Sequence, residues 1–300
     1  MRNILITGSN GFIGGHVSEY LLNAGEYVIG LDLHTDKRKN CNEYVQCNLA
    51  QDNLNAIFEK IVVDKIDFVV HLASDMRHEP YTTEVITNNC RGTQKLLEFC
   101  EEHQVSAFVQ LSSLPVIGYP REIPITENHS LRPPTVYHVT KHTQELLANY
   151  ADYTFGLRTV SFRISAPIGK GVNPKTIFPT FVRKAVNNKP ITLIGKGTRQ
   201  QTYIHVKDIA QAIYKAIQTE NAHGVYNLAS NNLISNYDLA KKCVALTHSS
   251  SEIVFLDKPD PMDEHIWKIS IDKIKKEIGY QPEVSLDEAI IEFAEIVSNN

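Results

Sequence analysis

The stretch Gly8-Ser9-Asn10-Gly11-Phe12-Ile13-Gly14 decides the fold, because it joins an apolar β-run at residues 3–7 to a helical pattern. Its GxxGxxG spacing is related to the GxGxxG turn, in which backbone N–H groups approach a pyrophosphate at a helix N-terminus. Asp32 ends the next β-run, where a carboxylate accepts hydrogen bonds from an adenosine ribose and repels a 2′-phosphate. The pattern predicts a dinucleotide site that prefers NAD(H), with Lys37 and Arg38 leaving NADP(H) open as the alternative.

Short β-rich runs alternate with longer helical patterns over the first half of the chain, which is typical of a parallel sheet with helical crossovers. The predicted strands are residues 3–7, 27–32, 44–47, 67–72, 107–112 and 158–164, and the predicted helices between them are residues 11–23, 54–62, 82–103 and 136–153. After about Pro167 the elements shorten, with helices predicted at residues 208–218, 237–246 and 286–297. We expect an α/β chain with a nucleotide-binding domain over residues 1–166 and a smaller lobe over residues 167–300, part of which is free to return to the first domain.

Composition and charge exclude several classes of protein. Of 300 residues, 42% are apolar and 21% are charged, which is ordinary for a folded globular chain. Thirty Lys and Arg residues against 34 Asp and Glu give a net charge of −4, which argues against a nucleic-acid partner. No apolar run approaches the roughly 18–20 residues that span a bilayer, and no signal-peptide pattern is present, so neither membrane association nor export is expected. Five cysteines without a CxxC pair indicate reduced thiols in the cytoplasm and no metal site.

Tyr137 and Lys141 are spaced four residues apart in a helical pattern, so their side chains share one face. A phenol with a pKa near 10 is a poor base at neutral pH, but a neighbouring lysine cation and a positively charged nicotinamide ring would lower that pKa. Ser112 and Ser113 end the preceding predicted strand, at the sheet edge where ligands gather in doubly wound folds. Together these side chains predict proton transfer at a hydroxyl or carbonyl group.

With these motifs in this order, the chain resembles the extended short-chain dehydrogenases/reductases, in particular the NAD-dependent epimerase/dehydratase group typified by UDP-galactose 4-epimerase. Five further segments resemble motifs of that group: residues 70–73 its HxA strand end, 88–93 its NNVxGT helix, 112–118 its SSxxVYG strand end, 162–169 its LRYFNPxG segment and 195–208 its GxG…RDFxxVxD segment. The resemblance implies a Rossmann domain, a doubly wound parallel sheet, with a smaller C-terminal α/β lobe for the substrate. It also implies NAD as cofactor and a homodimer formed through the helices at residues 82–103 and 136–153.

The resemblance assigns roles to individual residues. Counting back from Gly118 makes Ser113 the catalytic hydroxyl, beside Tyr137 as acid/base and Lys141 as its partner. The implied cofactor-binding residues are Gly8, Gly11, Phe12, Ile13, Gly14, Asp32, Asn48, Leu49, Leu72, Ala73, Asn88, Tyr137 and Lys141. The candidate substrate-binding residues are Arg77, Ser112, Ser113 and Arg199.

Departures from the family pattern bear on the reaction. Dehydratases of this family carry an Asp-Glu pair after the catalytic hydroxyl, where this chain has Leu114 and Pro115, so elimination is not expected. We therefore predict an NAD(H)-dependent epimerase that transiently oxidises a secondary alcohol of a nucleotide-activated sugar. One alternative is an NAD-dependent dehydrogenase or ketoreductase acting on a smaller or non-nucleotide sugar-like substrate. The other is a non-catalytic NAD(H)-binding sensor.

The alternative substrate class is motivated by the positions that would meet a diphosphate. A pyrophosphate needs cations or N–H donors, but these positions read Ala166, Gln201 and Asp260. Candidate replacements are Arg199, Lys196, Arg183 and Lys175. Of these, Arg199 is favoured, because it lies two residues before the expected arginine in the same glycine-rich turn.

Overall fold

The computed structural model describes residues 1–35 and 40–299 of the chain. Within these ranges the strands are β1 (Asn3–Thr7), β2 (Tyr27–Asp32), β3 (Glu43–Gln46), β4 (Phe68–His71), β5 (Ala107–Ser113), β6 (Arg158–Ile164), β7 (Ala166–Ile168), β8 (Ile191–Leu193), β9 (Gln200–Gln201), β10 (Tyr203–His205), β11 (Gly224–Leu228), β12 (Ile234–Ser235) and β13 (Ile253–Phe255). The helices are α1 (Phe12–Asn23), α2 (Leu54–Phe58), α3 (Thr82–Ile86), α4 (Gly92–Glu102), α5 (Val136–Phe155), α6 (Ile177–Val186), α7 (Val206–Gln218), α8 (Asn236–Leu246), α9 (Asp272–Ile278) and α10 (Leu286–Ser298).

Seven parallel strands form the central sheet, in the order β11-β6-β5-β4-β1-β2-β3. The chain runs from β1 outward to β3, then returns to β4 on the other side of β1 and runs outward again. Thr7, at the end of β1, is consequently paired with Leu31 on one side and His71 on the other. Ligands of doubly wound folds bind where the strand order reverses. In the fold class that the sequence predicts, the ligand site therefore lies just beyond Thr7, at the carboxyl end of β1.

Both faces of the sheet are covered by helices. Along β1, Ile4 and Ile6 belong to the apolar cluster under α1 and α7, whereas Leu5 belongs to the cluster on the opposite face. This alternation follows from the two-residue period of a strand. Because both faces are buried, the parallel strands are nearly continuous in apolar residues, as in β4, where every residue is buried.

The second lobe has its own apolar cluster, built by α6, α8 and α10 around residues such as Phe178, Leu239 and Phe293. Strands β8 and β13 form a parallel pair at its surface. Two short pairings, β7 with β10 and β9 with β12, lie where the lobe meets the first domain. The lobe therefore faces the carboxyl ends of the central strands.

From the sequence, the helix predicted at residues 208–218 belongs to the second lobe, but the structure packs this helix on the first domain. In the structure, α7 packs against α1, and its buried Ile209 and Ile213 join the apolar cluster that contains Val17. Strand β11 then adds the seventh strand of the central sheet, next to β6. Residues beyond 166 thus contribute a strand to the central sheet and a helix that covers it, in addition to the second lobe. The predicted division at residue 166 stays a prediction.

Two predicted helices are also shorter or less regular than expected. The helix predicted over residues 54–62 ends at Phe58, before the β-branched run at residues 61–63, which disfavours helix. The helix predicted over residues 82–103 contains a π-helical turn at Thr87–Arg91 between α3 and α4. None of the helices within the described ranges combines the length and apolar character that a membrane crossing requires.

Candidate active site

A cleft of about 1660 Å³ lies at the carboxyl ends of the central strands and extends to the second lobe. Pockets for one small ligand usually hold roughly 300–1,000 Å³, so this cleft has room for a dinucleotide and a second ligand. Every residue that the sequence analysis assigns to catalysis, cofactor binding or substrate binding lines it. The structure therefore brings the candidate residues together, while their individual roles remain predictions.

The glycine turn forms one end of the cleft. Gly8 has a φ of +70°, in the left-handed region that favours glycine. A Cβ at Gly14 would lie 2.0 Å from the Gly8 carbonyl oxygen, and one at Gly8 would lie 2.7 Å from the Ala73 nitrogen. Helix α1 begins directly after Gly11, so its free N–H groups lie at the turn. The turn thus provides a backbone cradle that fits a pyrophosphate.

Asp32 lies at the end of β2 next to this cradle. Its carboxylate accepts hydrogen bonds from the backbone N–H groups of Asn10, at 3.0 Å, and His34, at 3.2 Å. A carboxylate has about four lone-pair sites, so two remain for ribose hydroxyls. Lys37 and Arg38, the residues that favoured the NADP(H) alternative, lie outside the described residues.

The catalytic candidates on α5 are held in place by buried contacts. Lys141 is 3% exposed, and its Nζ donates a hydrogen bond to the Leu111 carbonyl oxygen at 2.9 Å. The same Nζ lies 5.9 Å from the centre of the Tyr137 ring. Burial raises the pKa of Tyr137 to about 12 and lowers the pKa of Lys141 to about 8. Each burial effect disfavours the charged form, so the pair needs a cationic ligand nearby before the phenolate becomes accessible.

The two serines at the end of β5 differ in environment. Ser112 is buried, and its hydroxyl has no hydrogen-bond partner in the part of the chain that the structure describes. Ser113 is half-buried at the last position of the strand. The following residues, Leu114 and Pro115, line the cleft with apolar surface, so no acid occupies the place of the dehydratases' Asp-Glu pair.

The loop after β4 is organised by an aspartate that the sequence analysis missed. Asp75 forms an ion pair with Arg77 at 2.6 Å and accepts a hydrogen bond from Asn88 Nδ2 at 2.9 Å. These contacts lower the pKa of Asp75 to about 2, chiefly through the Arg77 hydrogen bond. Arg77 also stacks on Tyr81, with 4.6 Å from its guanidinium carbon to the ring centre. The charge of the candidate substrate residue Arg77 is thus already paired.

Arg199 differs from Arg77, because its charge has no ion-pair partner among the described residues. It is half-buried in the cleft, and its Nε is buried without a hydrogen-bond partner among residues 1–35 and 40–299. Lys175 is exposed but also lines the cleft, whereas the other two exposed replacement candidates, Lys196 and Arg183, lie outside its lining. Asp260, at a position where the family pattern has an arginine, accepts the N–H of Met262 at 2.9 Å within its own turn.

Trp267 is a second residue that sequence reasoning missed. It lines the cleft and packs against the cluster that contains Leu114 and Ile117, and its Nε1 is buried without a partner in the described chain. It is the only tryptophan in the sequence, and its polar N–H is the signal that could have singled it out. Within the described ranges, no group of three or more His, Cys, Asp or Glu side chains is arranged to hold a metal ion.

The chain belongs to the NAD dependent epimerase/dehydratase family, whose sequence profile matches residues 4–229. This membership confirms the predicted resemblance, the predicted enzyme class and NAD as the cofactor. It also disfavours the non-catalytic sensor.

Two relatives match nearly the whole chain. A low-salt glycan biosynthesis protein of Haloferax volcanii is 27% identical, covering 96% of this chain and 96% of its own. An uncharacterised UDP-glucose epimerase of Bacillus subtilis is 26% identical, covering 96% of this chain and 95% of its own.

Two solved structures show the same fold. A UDP-glucose 4-epimerase of Thermotoga maritima, determined with UDP-glucose, has a TM-score of 0.88 and 23% identity, and the match covers 99% of each chain. A UDP-N-acetylglucosamine 4-epimerase of Methanobrevibacter ruminantium has a TM-score of 0.88 and 22% identity, covering 100% of this chain and 99% of its own. These likenesses confirm the predicted fold class.

Proposed function

We propose that this protein is an epimerase of a nucleotide-activated sugar that works by transient oxidation of a secondary alcohol. The observation that carries the proposal is the cleft itself, which holds Tyr137, Lys141 and Ser113 at one place and the unpaired Arg199 at another. NAD bound on the glycine turn would supply the hydride acceptor and, in return, the hydride donor. Epimerisation gives the hydride back to the substrate, so no net redox change is expected.

Tyr137 is the proposed acid/base. As phenolate it removes the proton of the substrate hydroxyl, and as phenol it returns a proton when the alcohol is restored. Lys141, buried on the same helix face, stabilises the phenolate by its positive charge. Ser113, at the end of β5, holds the reacting oxygen by a hydrogen bond. Leu114 and Pro115 cannot transfer a proton, so elimination is not part of the proposed reaction.

Arg199 and Lys175 are the proposed contacts to the substrate diphosphate. Neither takes part in an ion pair among the described residues, so both charges are available to an anion. Relatives named as UDP-glucose epimerases make a UDP-sugar the first candidate. The competing candidate, a dehydrogenase of a smaller sugar-like substrate, is favoured by the absence of a cation at Ala166, Gln201 and Asp260.

Product analysis with bound NAD tests the proposal. Wild-type protein is incubated with UDP-, TDP-, GDP- and CDP-hexoses, and the sugars are separated while absorbance at 340 nm is followed. We expect one substrate to equilibrate with its epimer without accumulation of NADH. Steady release of NADH would instead identify the dehydrogenase.

We further propose a homodimer in the cytoplasm. Val139, Leu146 and Tyr150 form an apolar stripe along α5, with exposures of 48%, 54% and 58%. Five cysteines without a disulfide among the described residues support a reducing compartment. A charge inside the stripe, as in Leu146→Glu, should convert the dimer to a monomer in light scattering. An unchanged mass for this variant would remove α5 from the interface.

A further inference from the structure

Ser74 is a buried hydroxyl that the roles assigned so far leave without a purpose. It follows Ala73 directly after β4 and lines the cleft near the catalytic helix. Its Oγ is buried and makes no hydrogen bond of ordinary geometry within the described part of the chain. Buried polar atoms are nearly always paired. The group closest to pairing with this hydroxyl is the phenol of Tyr137, whose pKa the Ser74 hydroxyl lowers.

The backbone that carries Ser74 is joined to the first turn of α5 by a chain of hydrogen bonds. The N–H of Asp75 donates to Asn89 Oδ1 at 2.7 Å, and Asn89 Nδ2 donates to the Asp75 carbonyl oxygen at 2.9 Å. The same Nδ2 donates to Thr140 Oγ1 at 2.9 Å, and Thr140 Oγ1 donates to the Tyr137 carbonyl oxygen at 2.7 Å. Ser74 and Tyr137 are thus held in fixed relation through Asn89, which is 2% exposed.

The neighbouring side chains make this bridge rigid. Asn89 lies in the π-helical turn Thr87–Arg91, and turns of this kind are frequent at functional sites. In the same turn, Asn88 holds the Asp75 carboxylate, which Arg77 also contacts from within the loop. Because its neighbour Asp75 is anchored through both backbone and side chain, the position of Ser74 is set before any ligand binds.

We propose that Ser74 is a positioning residue for Tyr137, and that its hydroxyl donates a hydrogen bond to the phenolate oxygen when the tyrosine ionises. The inference rests on the proposed function of Tyr137 as the base. Ser113 is then left free to hold the substrate oxygen, while Ser74 and Lys141 share the stabilisation of the phenolate. By hydrogen bonding to the phenol, the Ser74 hydroxyl opposes the rise in the pKa of Tyr137 that burial causes.

Other titratable groups face the same region and must be distinguished from Ser74. On α5 they are Lys141, His138 and, one turn further, Glu145; from the strand and loop beneath they are His71, Asp75, Arg77 and His78. Burial lowers the pKa of His71 to about 3, and the pKa of His138 is also lowered, so neither adds positive charge at neutral pH. Lys141, whose Nζ lies 5.9 Å from the centre of the Tyr137 ring, keeps its positive charge beside the phenol in the Ser74 variants.

The test is a tyrosinate titration of the NAD-loaded protein at 295 nm, in which subtraction of the Tyr137→Phe spectrum isolates Tyr137. Ser74→Ala should lower its ionisation constant about fivefold, the effect of one lost hydrogen bond, and raise the midpoint by roughly 0.7 pH units. Ser74→Thr, which keeps the hydroxyl, should stay near the wild-type midpoint. Ser18→Ala, which removes another buried, unpartnered hydroxyl on α1 outside the cleft lining, should not move it.

An unchanged midpoint in folded Ser74→Ala would overturn the proposal, and so would a shift of equal size in Ser18→Ala. Should Ser74→Ala fail to fold, a Ser74→Thr midpoint close to wild type supports the proposal, and Ser74→Cys, a weaker donor, must then raise it. The readout needs no sugar. If the midpoint moves but no nucleotide sugar is converted, the role of Ser74 stands and the proposed substrate class fails. If a nucleotide sugar is converted but the midpoint does not move, the substrate class stands and the role of Ser74 fails.

Discussion

The two ends of the cleft are built in different ways. At the cofactor end, the residues from Gly8 to Gly14 shape a backbone cradle, and Asp32 completes it from the adjacent strand. At the proposed substrate end, Ser113, Arg199 and Trp267 come from segments far apart in the chain and line the same cleft only in the folded protein. The cofactor end depends on backbone shape and the substrate end on side-chain chemistry. Substitutions at the substrate end should therefore leave the affinity for NAD nearly unchanged.

Replacement of Tyr137 by phenylalanine should have the largest effect. Loss of the acid/base is expected to lower turnover by about 10²-fold or more, while NAD affinity stays nearly unchanged, because the phenyl ring keeps its packing. Turnover with a converted nucleotide sugar and NAD binding by calorimetry give the two quantities. Tyr153→Phe, an exposed position on the same helix, is the matched control. Near-normal activity in Tyr137→Phe would remove the residue from the mechanism.

Arg199→Ala tests the substrate end. A charge-assisted contact to phosphate contributes roughly 1.5–3 kcal/mol, so the KM for a nucleotide sugar should rise about 10–100-fold with little change in NAD affinity. Arg183→Ala removes an exposed arginine of the same lobe that lies outside the cleft lining, and its KM should remain that of wild type. Equal effects of the two variants would show that Arg199 does not meet the diphosphate.

Asp32→Ala tests the cofactor end. Both a charge-assisted hydrogen bond to the ribose and a repulsive charge against a 2′-phosphate would be lost, so NAD should bind about 10-fold more weakly and its preference over NADP should relax. Titration of both cofactors into the wild type and the variant measures this. A wild type that binds NADP more tightly than NAD would contradict the interpretation of Asp32.

Lys141→Met addresses the stability of the cofactor end rather than activity or ligand binding. Burial lowers the pKa of Lys141 to about 8, whereas the unfolded lysine titrates near 10.4, so below pH 8 the folded protein bears the full cost of the buried charge. Allowing for the lost hydrogen bond to Leu111, the variant should be more stable by about 2 kcal/mol at pH 7.

The pH dependence of the difference in stability between wild type and Lys141→Met is the control for this prediction. Between pH 8 and 10.4 the unfolded state binds more protons, so wild-type stability should rise with pH and the advantage of Lys141→Met should shrink. Urea unfolding at pH 7 and pH 10 measures both differences. A variant that is less stable than wild type at pH 7 would show that the hydrogen bond to Leu111 outweighs the cost of burial.

The contrast between the two ends also explains what the sequence could predict. The first strand, the glycine turn and the spacing of Tyr137 and Lys141 are local patterns, and the structure reproduces them where the sequence placed them. The anchoring of Asp75 by Asn88 and Arg77 could not be predicted, because it depends on the π-helical turn that the fold imposes inside a helical pattern. The approach of Trp267 to the β5 end depends on contacts across more than 150 residues, which no local pattern encodes.

Which part of the chain returns to the central sheet could not be predicted, for the same reason. An amphipathic pattern at residues 208–218 predicts a helix but not the surface that covers its apolar face. That surface is α1, and only the folded chain brings the two helices together. Local periodicity therefore predicts helices and strands well, but it predicts less well which of them pack against each other.

Binding of UDP, TDP, GDP and CDP to the NAD-loaded wild-type protein, measured by titration calorimetry, is the most direct test of a nucleotide-sugar substrate. We expect at least one of these nucleotides to bind below the millimolar range, because the cleft offers the unpaired Arg199 and Lys175 to a diphosphate. Failure of all four to bind at millimolar concentration would contradict the proposed function and make the dehydrogenase of a smaller sugar-like substrate the leading one.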